Sequence, residues 1–431
     1  MSSKNIIDQI ALPADTIILV VLAPTHFWFN PISSALALTA IGIYIALGFL
    51  VADLPDEIDN PTRYHRYAYL LRLAIVIFML MIATVLPAGL NIGARLQEGP
   101  ATNAHDGLIQ TEIAIDYLLQ GKNPYTENYL DTPMDSGRQA EAFWTTTDTP
   151  LYHNAYLPAL FLISIPAKII IQSWLGWYDQ RILYLLLYLG LMLILPLLVK
   201  KQRNKLILLM IVGLNLLFPL FMAEGRNDIV VLFGLGLTTL LLARKHSWLA
   251  AIALGVTCAT KHSAWFYVPF FLVYLYPTQA GLSMGAVRLL FKRVWPFFAT
   301  LAVIILPFFF WDALAFIDDT LFYLIGISDT SFPIRGWGFS VLLYGLGMVD
   351  SQDTTFPFFI PQLLIGLPLL FLLLRHQWRT NTLTRLWLGF ALFSFVVDYF
   401  SRFFNDNYVV FVLLALVIGA FMLPQEWASD E

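Results

Sequence analysis

The chain contains 431 residues, of which 58% are hydrophobic and 13% are charged, and its mean hydropathy is +0.71. Soluble domains carry about 25% charged residues, so this composition and its repeated long apolar stretches predict an integral membrane protein. The net charge of −4 gives no support for nucleic-acid binding, and the single cysteine, Cys258, excludes an intrachain disulfide.

The first 30 residues do not have the pattern of a signal peptide. Lys4 is the only early cation, Asp8 and Asp15 follow it, and Pro24 and Pro31 interrupt the apolar stretch. We therefore expect an interfacial or half-inserted helix here, with the first complete span serving as the targeting signal.

The rest of the chain predicts an all-α polytopic bundle, which forms one integral membrane domain over residues 1–431. We expect about 11 to 13 spans, since a crossing helix needs about 20 apolar residues. The stretch 247–277 reads as two short helices broken at Lys261-His262, and the apolar piece 337–348 as a segment that enters the membrane without crossing it. The other expected spans are 32–52, 68–92, 155–173, 181–199, 206–223, 228–243, 294–311, 356–374, 386–400 and 408–423.

Basic clusters in short loops predict the orientation, because such loops are enriched in Lys and Arg on the cytoplasmic side. They place residues 93–150 outside. One conflict remains: three expected spans lie between Arg72 and Lys200, where the rule needs an even number. Either one segment is re-entrant, for which 155–173 with Pro158 and Pro166 is the first candidate, or one cluster breaks the rule. The cytoplasmic clusters are Arg63-Arg66-Arg72, Lys200-Lys201-Arg203-Lys205, Arg244-Lys245, Arg288-Lys292-Arg293 and Arg375-Arg379-Arg385.

The outer loop, residues 93–150, contains the first candidate catalytic group, Asp106. The pattern predicts a short helix from Asp106 to Leu119, ended by Gly121 and Pro124. Asp106 is either a general base, with its pKa raised in a partly dry cleft, or an ordinary helix N-cap. Both can hold, because a cap also fixes a carboxylate in place.

Other polar residues of this region are candidate substrate contacts. His105 adjoins Asp106. Glu112 lies one helical turn from Asp116, and the alternative interpretation of these two acids is a solvated stripe on the helix. Tyr125 ends an Asn-Pro-Tyr sequence that also reads as a simple turn. Where the chain re-enters the membrane, His153 and Asn154 suit a phosphate or a sugar, although His is equally at home at the interface.

Later helix ends supply candidate cations. Arg226 and Asn227 lie in a turn where Arg226 either binds a phosphate or sugar hydroxyl or pairs with Glu224. Lys261 and His262 suit a lipid-linked phosphate leaving group, and the alternative is a snorkelling pair in an outer turn. Two weaker candidates of the same kind, also consistent with structural cations, are Arg335 and Arg402.

Other functional classes find less support. No Walker-type glycine loop and no Cys/His cluster with zinc spacing is present, so we expect no ATP-driven pump, no cofactor and no metal site. A secondary transporter would need acids within its spans, and Asp398 is among the few that qualify. A polysaccharide polymerase or ligase would have its large loop late in the chain, and a scaffolding protein would not need converging polar groups.

The order of these motifs resembles a known family. Asp106, followed by Gly121 and Asn123-Pro124-Tyr125, resembles the first outer loop of polyprenol-phosphate-sugar-dependent glycosyltransferases of the GT-C fold. It is most similar to the branch of mycobacterial polyprenol-phosphate-mannose-dependent mannosyltransferases, the glycosyltransferase family 87 type. The re-entry Tyr152–Pro158, the Gly225-Arg226-Asn227 turn and a short helix ending in Lys261 follow in the family's order.

The resemblance covers residues 68–277 and implies a catalytic module there, with additional transmembrane helices over 278–431. It implies metal-free or metal-tolerant inversion with Asp106 as the base. The donor would be a sugar, mannose by resemblance, on polyprenyl phosphate, and the acceptor a glycolipid, glycan or protein outside a prokaryotic plasma membrane. Two positions depart from the pattern: Arg226 replaces a common Gln, and His262 replaces the Pro that follows the Lys.

Overall fold

The computed structural model describes residues 12–23, 31–139 and 148–422, and nearly all of its regular structure is helical. The interfacial helix predicted for the first 30 residues lies mostly outside these residues, as do residues 140–147 of the outer loop. Short 3₁₀ or π segments adjoin several helices at Met81–Val85, Thr149–Leu151, Leu195–Leu198, His262–Tyr267, Thr278–Ala280 and Asp318–Phe322. The α-helices are Ala14–Leu22, Pro31–Leu50, Arg63–Leu80, Leu86–Glu98, Asp106–Leu119, Pro133–Gln139, Ala159–Leu162, Ser164–Leu175, Gln180–Ile194, Gln202–Gly213, Phe218–Glu224, Asp228–Ala243, Ser247–Cys258, Val268–Leu275, Met284–Trp311, Ala313–Ile317, Tyr323–Ile325, Phe339–Gly345, Phe359–Arg379, Leu383–Tyr399 and Asp406–Met422.

Five helical segments of the described chain are long and apolar enough to cross a bilayer. Each coincides with a stretch that hydropathy predicts, so the all-α, integral-membrane character is confirmed. The five are Pro31–Leu50, Arg63–Glu98, Gln180–Leu198, Met284–Trp311 and Phe359–Arg379.

The remaining apolar stretches are short or broken. Gln202–Gly213 and Phe218–Glu224 form a pair bent by 50°, which adds a sixth span if the pair crosses as one. The stretch 155–173 divides at Ile163 and the stretch 247–277 divides around Lys261, as predicted. The predicted total of 11 to 13 spans requires helices of fewer than 18 residues to cross as well, and it stays a prediction.

The chain divides into two compact units. The first consists of the described residues up to Leu90 together with Met192–Ala223. Its buried Asp15 accepts from the Arg72 guanidinium and also pairs with Arg203. Arg72 and Arg203, which belong to two of the predicted cytoplasmic clusters, therefore contact the same carboxylate. Because the two clusters lie together, an even number of crossings must separate them, as the positive-inside rule requires.

The second unit, Asn91–Leu191 and Glu224 onward, contains every candidate site residue. Near the outer-loop helix it packs a buried aromatic cluster in which Tyr125 lies 4.9 Å from the Phe316 ring centroid. Farther along the chain, the two-residue strand Arg335–Gly336 pairs in parallel with Phe403–Phe404. This pairing fixes the loop that carries Arg335 against the turn before the last helix.

Candidate functional site

The outer-loop helix runs from Asp106 to Leu119, as predicted, but Asp106 is not its N-cap. That position belongs to His105, whose extended backbone (φ −71°, ψ 143°) precedes the first turn and whose Nδ1 lies 3.1 Å from the Gly107 N–H. Asp106 is the first helical residue, and its Oδ1 accepts from the same N–H at 2.7 Å. An acid in the first turn is favourable because it faces the positive end of the helix dipole.

The Asp106 carboxylate is held in its ionised form. Its side chain is 18% exposed and its Oδ1 lies 2.8 Å from the His105 Nδ1. Burial would raise the pKa of Asp106, but the His105 ring, the Gly107 N–H and the Arg335 guanidinium together hold it well below its ordinary value. The expected rise of this pKa is therefore wrong, because the loop surrounds the carboxylate with donors and positive charge.

Arg335 is a cation from a later loop that acts electrostatically on this carboxylate. Its guanidinium lies 6.0 Å from the Phe332 ring, and within the described ranges it makes no hydrogen bond and no ion pair. The side chain is partly exposed, and its charge acts on Asp106 from a distant part of the chain. A guanidinium in this state is ready to bind an anionic oxygen.

Lys261 is already engaged. Its ammonium donates to the Asp228 Oδ1 at 2.6 Å and to the Asn227 Oδ1 at 3.2 Å, and it lies 5.0 Å from the Tyr408 ring centroid. The Lys261 side chain is only 12% exposed, while the ring of His262, also partly buried, lies 6.1 Å from that of Trp265. A phosphate at Lys261 would have to displace a buried carboxylate.

Arg226 and Arg402 are also satisfied by the protein. Arg226 donates to Glu224 at 2.8 Å and to Asp406 at 2.7 Å, which confirms the internal Arg–Glu pair. Arg402 is buried and donates to three backbone carbonyls, at Phe332, Gln352 and Thr354. Arg402 thus stabilises the loop backbone that carries these carbonyls, which agrees with its alternative prediction as a structural cation.

Tyr156 joins the two halves of the candidate site. Its hydroxyl occupies the space beside Gly107, where a Cβ would come within 2.2 Å of it. Burial raises the pKa of this phenol, Lys261 opposes the rise and Asp106 adds to it. The Asp106 carboxylate and the Lys261 ammonium thus both act electrostatically on this hydroxyl. Tyr156 belongs to the re-entry motif of the sequence, but no role was predicted for it.

Tyr125 positions Tyr156 rather than facing a ligand. It is 3% exposed, packs against Phe161 and Phe308, and donates its hydroxyl to the Tyr156 carbonyl at 2.8 Å. Its predicted role in substrate binding is wrong because the aromatic core takes up the whole ring.

His153 and Asn154 lie in a buried polar network. The His153 Nδ1 is 2.8 Å from the Asp319 Oδ1, its Nε2 is 2.6 Å from the Thr330 Oγ1, and the Asn154 N–H donates to the Asp319 Oδ2 at 2.7 Å. Burial and the neighbouring Asp318 raise the pKa of Asp319, and His153 and Asn154 oppose the rise. The 5% exposure of His153 excludes an interfacial, solvent-facing ring.

Glu112 and Asp116 do not form one solvated stripe. Glu112, 13% exposed, binds Arg95 through both oxygens at 2.7 and 3.0 Å, whereas Asp116 is half exposed and pairs with Lys168. Arg95 also donates to the Asp179 Oδ2 at 2.9 Å. Arg95 lies in the predicted outer loop, 93–150, where it was not among the candidate residues, so this network was not predicted. All five charged groups line one cavity of about 440 Å³.

No protein-family model matches the chain, and no curated protein matches it.

Proposed function

We propose that the chain transfers a sugar from polyprenyl phosphate to an acceptor hydroxyl at the site formed by Asp106, Tyr156 and Arg335. The observation that carries this proposal is that an ionised, partly exposed carboxylate lies within electrostatic reach of a guanidinium that has no ion-pair partner among the described residues. The two groups have complementary tasks in glycosyl transfer, since one accepts a proton and the other receives a leaving phosphate. The GT-C resemblance of the outer loop points to the same chemistry.

The proposed step conserves atoms and charge. The acceptor oxygen attacks the anomeric carbon of the donor, the bond from that carbon to the phosphate oxygen breaks, and the configuration inverts. Asp106 takes the acceptor proton, and Arg335 neutralises the additional charge on the departing polyprenyl phosphate. The hydroxyl becomes acidic only as the new bond forms, so a carboxylate of low basicity is sufficient. A phosphate leaving group needs little acid assistance, so no second carboxylate is required.

The surface beside Arg335 suits a lipid-linked anion. Directly after the Arg335–Gly336 strand, Trp337 is 64% exposed, and the following Phe339–Gly345 helix exposes Leu342. The described residues just beyond it, Leu346 and Met348, are 65% and 68% exposed. A guanidinium next to exposed apolar side chains fits a ligand whose head is a phosphate and whose tail is a hydrocarbon.

This arrangement assigns different tasks to the predicted cations. Arg335 binds the phosphate, while Lys261 orients Asp228 and Asn227 and sets the electrostatic environment of Tyr156. The remaining predicted contact, His105, holds the Asp106 carboxylate in place. Mannose remains the proposed sugar, on the resemblance alone.

The test is transfer from radiolabelled polyprenyl-phosphate sugars, with mannose first, to lipid and glycan extracts by the purified protein. Asp106→Asn should lower the transfer rate by about 10²- to 10⁴-fold, because the amide cannot accept the proton. Glu127→Gln is the matched control: that carboxylate lies in the same outer loop, pairs with the exposed Lys122 and should tolerate the change. Wild-type turnover in folded Asp106→Asn would exclude the assignment.

A transporter is the second candidate because of one residue, Asp398. It is 9% exposed within the Leu383–Tyr399 helix, and its Oδ2 has no hydrogen-bond partner among the described residues. An acid in such a position is a common element of ion-coupled transport. Proton- or sodium-dependent uptake by reconstituted vesicles, abolished by Asp398→Asn but not by Asp106→Asn, would favour transport over transfer.

A further inference from the structure

Three potential metal ligands converge beside the proposed transfer site. His153, Asp318 and Asp319 each direct one ligand atom into a space in which all three atoms lie within 4.8 Å of one another. The His153 Nδ1 is 2.8 Å from the Asp319 Oδ1 and 3.6 Å from an Asp318 oxygen. Two metal–ligand bonds of about 2.1 Å, meeting at tetrahedral or octahedral angles, separate their ligand atoms by about 3.0–3.4 Å. The observed distances bracket that range.

A local departure from α-helical geometry brings the two carboxylates together. Asp318–Phe322 is a π-helical turn, and both acids at its start reach the same imidazole nitrogen. π turns of this kind are rare and frequently occur at functional sites. The sequence showed no metal-binding spacing because His153 and the two acids come from loops far apart in the chain.

Each ligand is oriented by a separate partner. The Asp319 Oδ2 accepts from the Asn154 N–H at 2.7 Å, and the Asp318 Oδ2 accepts from the Ser328 hydroxyl at 3.0 Å. His153 contacts the Thr330 Oγ1 through its Nε2 at 2.6 Å, and its ring stacks on Tyr323 at 4.3 Å. Such outer partners set the tautomer and direction of metal-binding groups, and with Nε2–H donating to Thr330 the Nδ1 lone pair faces the carboxylates.

The charge balance of the cluster calls for a cation. Asp319 is 3% exposed and Asp318 is adjacent to it, yet neither has a Lys or Arg partner anywhere in the described ranges. Asp228, of comparable burial, is by contrast paired with Lys261. Two neighbouring carboxylates with a single imidazole carry excess negative charge, which is costly at low exposure unless a positive ion is present.

We infer that His153, Asp318 and Asp319 bind one divalent transition cation, such as Mn²⁺ or Zn²⁺. An imidazole with carboxylates suits these ions better than Ca²⁺ or Mg²⁺, which prefer ligand sets made of oxygen alone. Tyr323, which stacks on His153, also lies within the electrostatic reach of Asp106. The ion's open coordination positions can take phosphate oxygens; that second role rests on the proposed function, whereas the binding itself does not.

The test is direct metal binding to the full-length protein in detergent after removal of bound metal with a chelator. Titration with Mn²⁺, followed by electron paramagnetic resonance of the free ion, and calorimetry with Zn²⁺ should show one saturable site. Asp319→Asn and His153→Gln should weaken binding by about tenfold or more. Asp329→Asn, an exposed acid in the same loop region, is the matched control and should bind as the wild type does.

The outcomes separate the two proposals. Should Asp319→Asn fail to fold, Asp318→Asn decides, since its 38% exposed carboxylate can be changed with less structural cost. No saturable binding at about millimolar metal, or equal binding by all variants, overturns the inference and leaves a hydrogen-bonded Asp319–His153–Thr330 relay. Metal binding without any sugar transfer supports the cation site and argues against the proposed function. Sugar transfer that is unchanged by added metal and by chelator, in a protein that binds no metal, supports the proposed function and overturns the cation site.

Discussion

Two arginines of neighbouring loops allow a matched test of the proposed phosphate site. Arg335 and Arg402 lie at the same short strand pairing, but Arg402 donates to three carbonyls whereas Arg335 has no hydrogen-bonded partner in the described chain. Arg335→Met should therefore leave the fold unchanged, within about 0.5 kcal/mol. Arg402→Met should cost about 3 kcal/mol or more, since each buried carbonyl left without a donor costs about 1–3 kcal/mol.

The order of the two variants should be reversed for donor binding, which Arg335→Met should weaken more than Arg402→Met. A hydrogen bond to a charged phosphate contributes about 1.5–3 kcal/mol, so Arg335→Met should weaken the binding of polyprenyl phosphate by about 10- to 150-fold. Arg402→Met, where it remains folded, should bind the lipid normally. The assay is displacement of a fluorescent polyprenyl phosphate from protein in detergent, together with thermal unfolding of both variants. Wild-type affinity in Arg335→Met, or a loss of thermal stability equal to that of Arg402→Met, would refute the reasoning.

Three further predictions follow from the site geometry. The pKa of Asp106 is lowered, so its ionised form adds stability above its ordinary carboxyl pKa and loses it as pH falls; kcat/KM should show no acid limb from this group above about pH 5. Arg95→Met should destabilise the protein by about 3–5 kcal/mol in thermal unfolding, because it leaves the Glu112 carboxylate without its cation and removes one of the two guanidinium partners of Asp179, which keeps Arg181; Glu112→Gln in the same chain should recover part of the loss. Gly107→Ala should impair transfer by pushing the Tyr156 hydroxyl aside, and Tyr156→Phe in the same chain should relieve the clash without restoring full activity.

Hydropathy predicted much of the helical fold because each span is a local property of the sequence. The helix expected at 228–243 is observed as Asp228–Ala243, and the break expected at Lys261 is present. The burial of Glu112 could not be predicted in this way. Its partner Arg95 lies in the predicted outer loop, just beyond the predicted span 68–92, and nothing local shows that its guanidinium turns towards the next helix.

The site was predictable only in part, for the same reason. The outer-loop helix and Asp106 followed from capping and periodicity, which act over a few residues. The lowered pKa of Asp106 owes most to the adjacent His105, and a further contribution comes from Arg335, which a different loop supplies. Whether a cation is already paired also depends on contacts between residues far apart in the sequence. Lys261 looks like an available charge in the sequence, but in the structure its ammonium lies 2.6 Å from the Asp228 carboxylate.

Charge pairing distinguishes the groups that hold this fold from those that can act on a ligand. A buried cation with its own carboxylate, as with Lys261 or Arg226, has a large desolvation cost already offset within the protein, so an incoming phosphate gains little by replacing that partner. Arg335 has no such partner in the described chain and keeps part of its surface in contact with solvent, so a phosphate meets its whole charge. Because Asp106 stays ionised and feels that same charge, a bound donor phosphate, which carries one negative charge, would weaken the positive field at the carboxylate and raise its basicity when the donor is in place. Donor binding would thus prepare the base, and the loop that carries Arg335 would couple the two events.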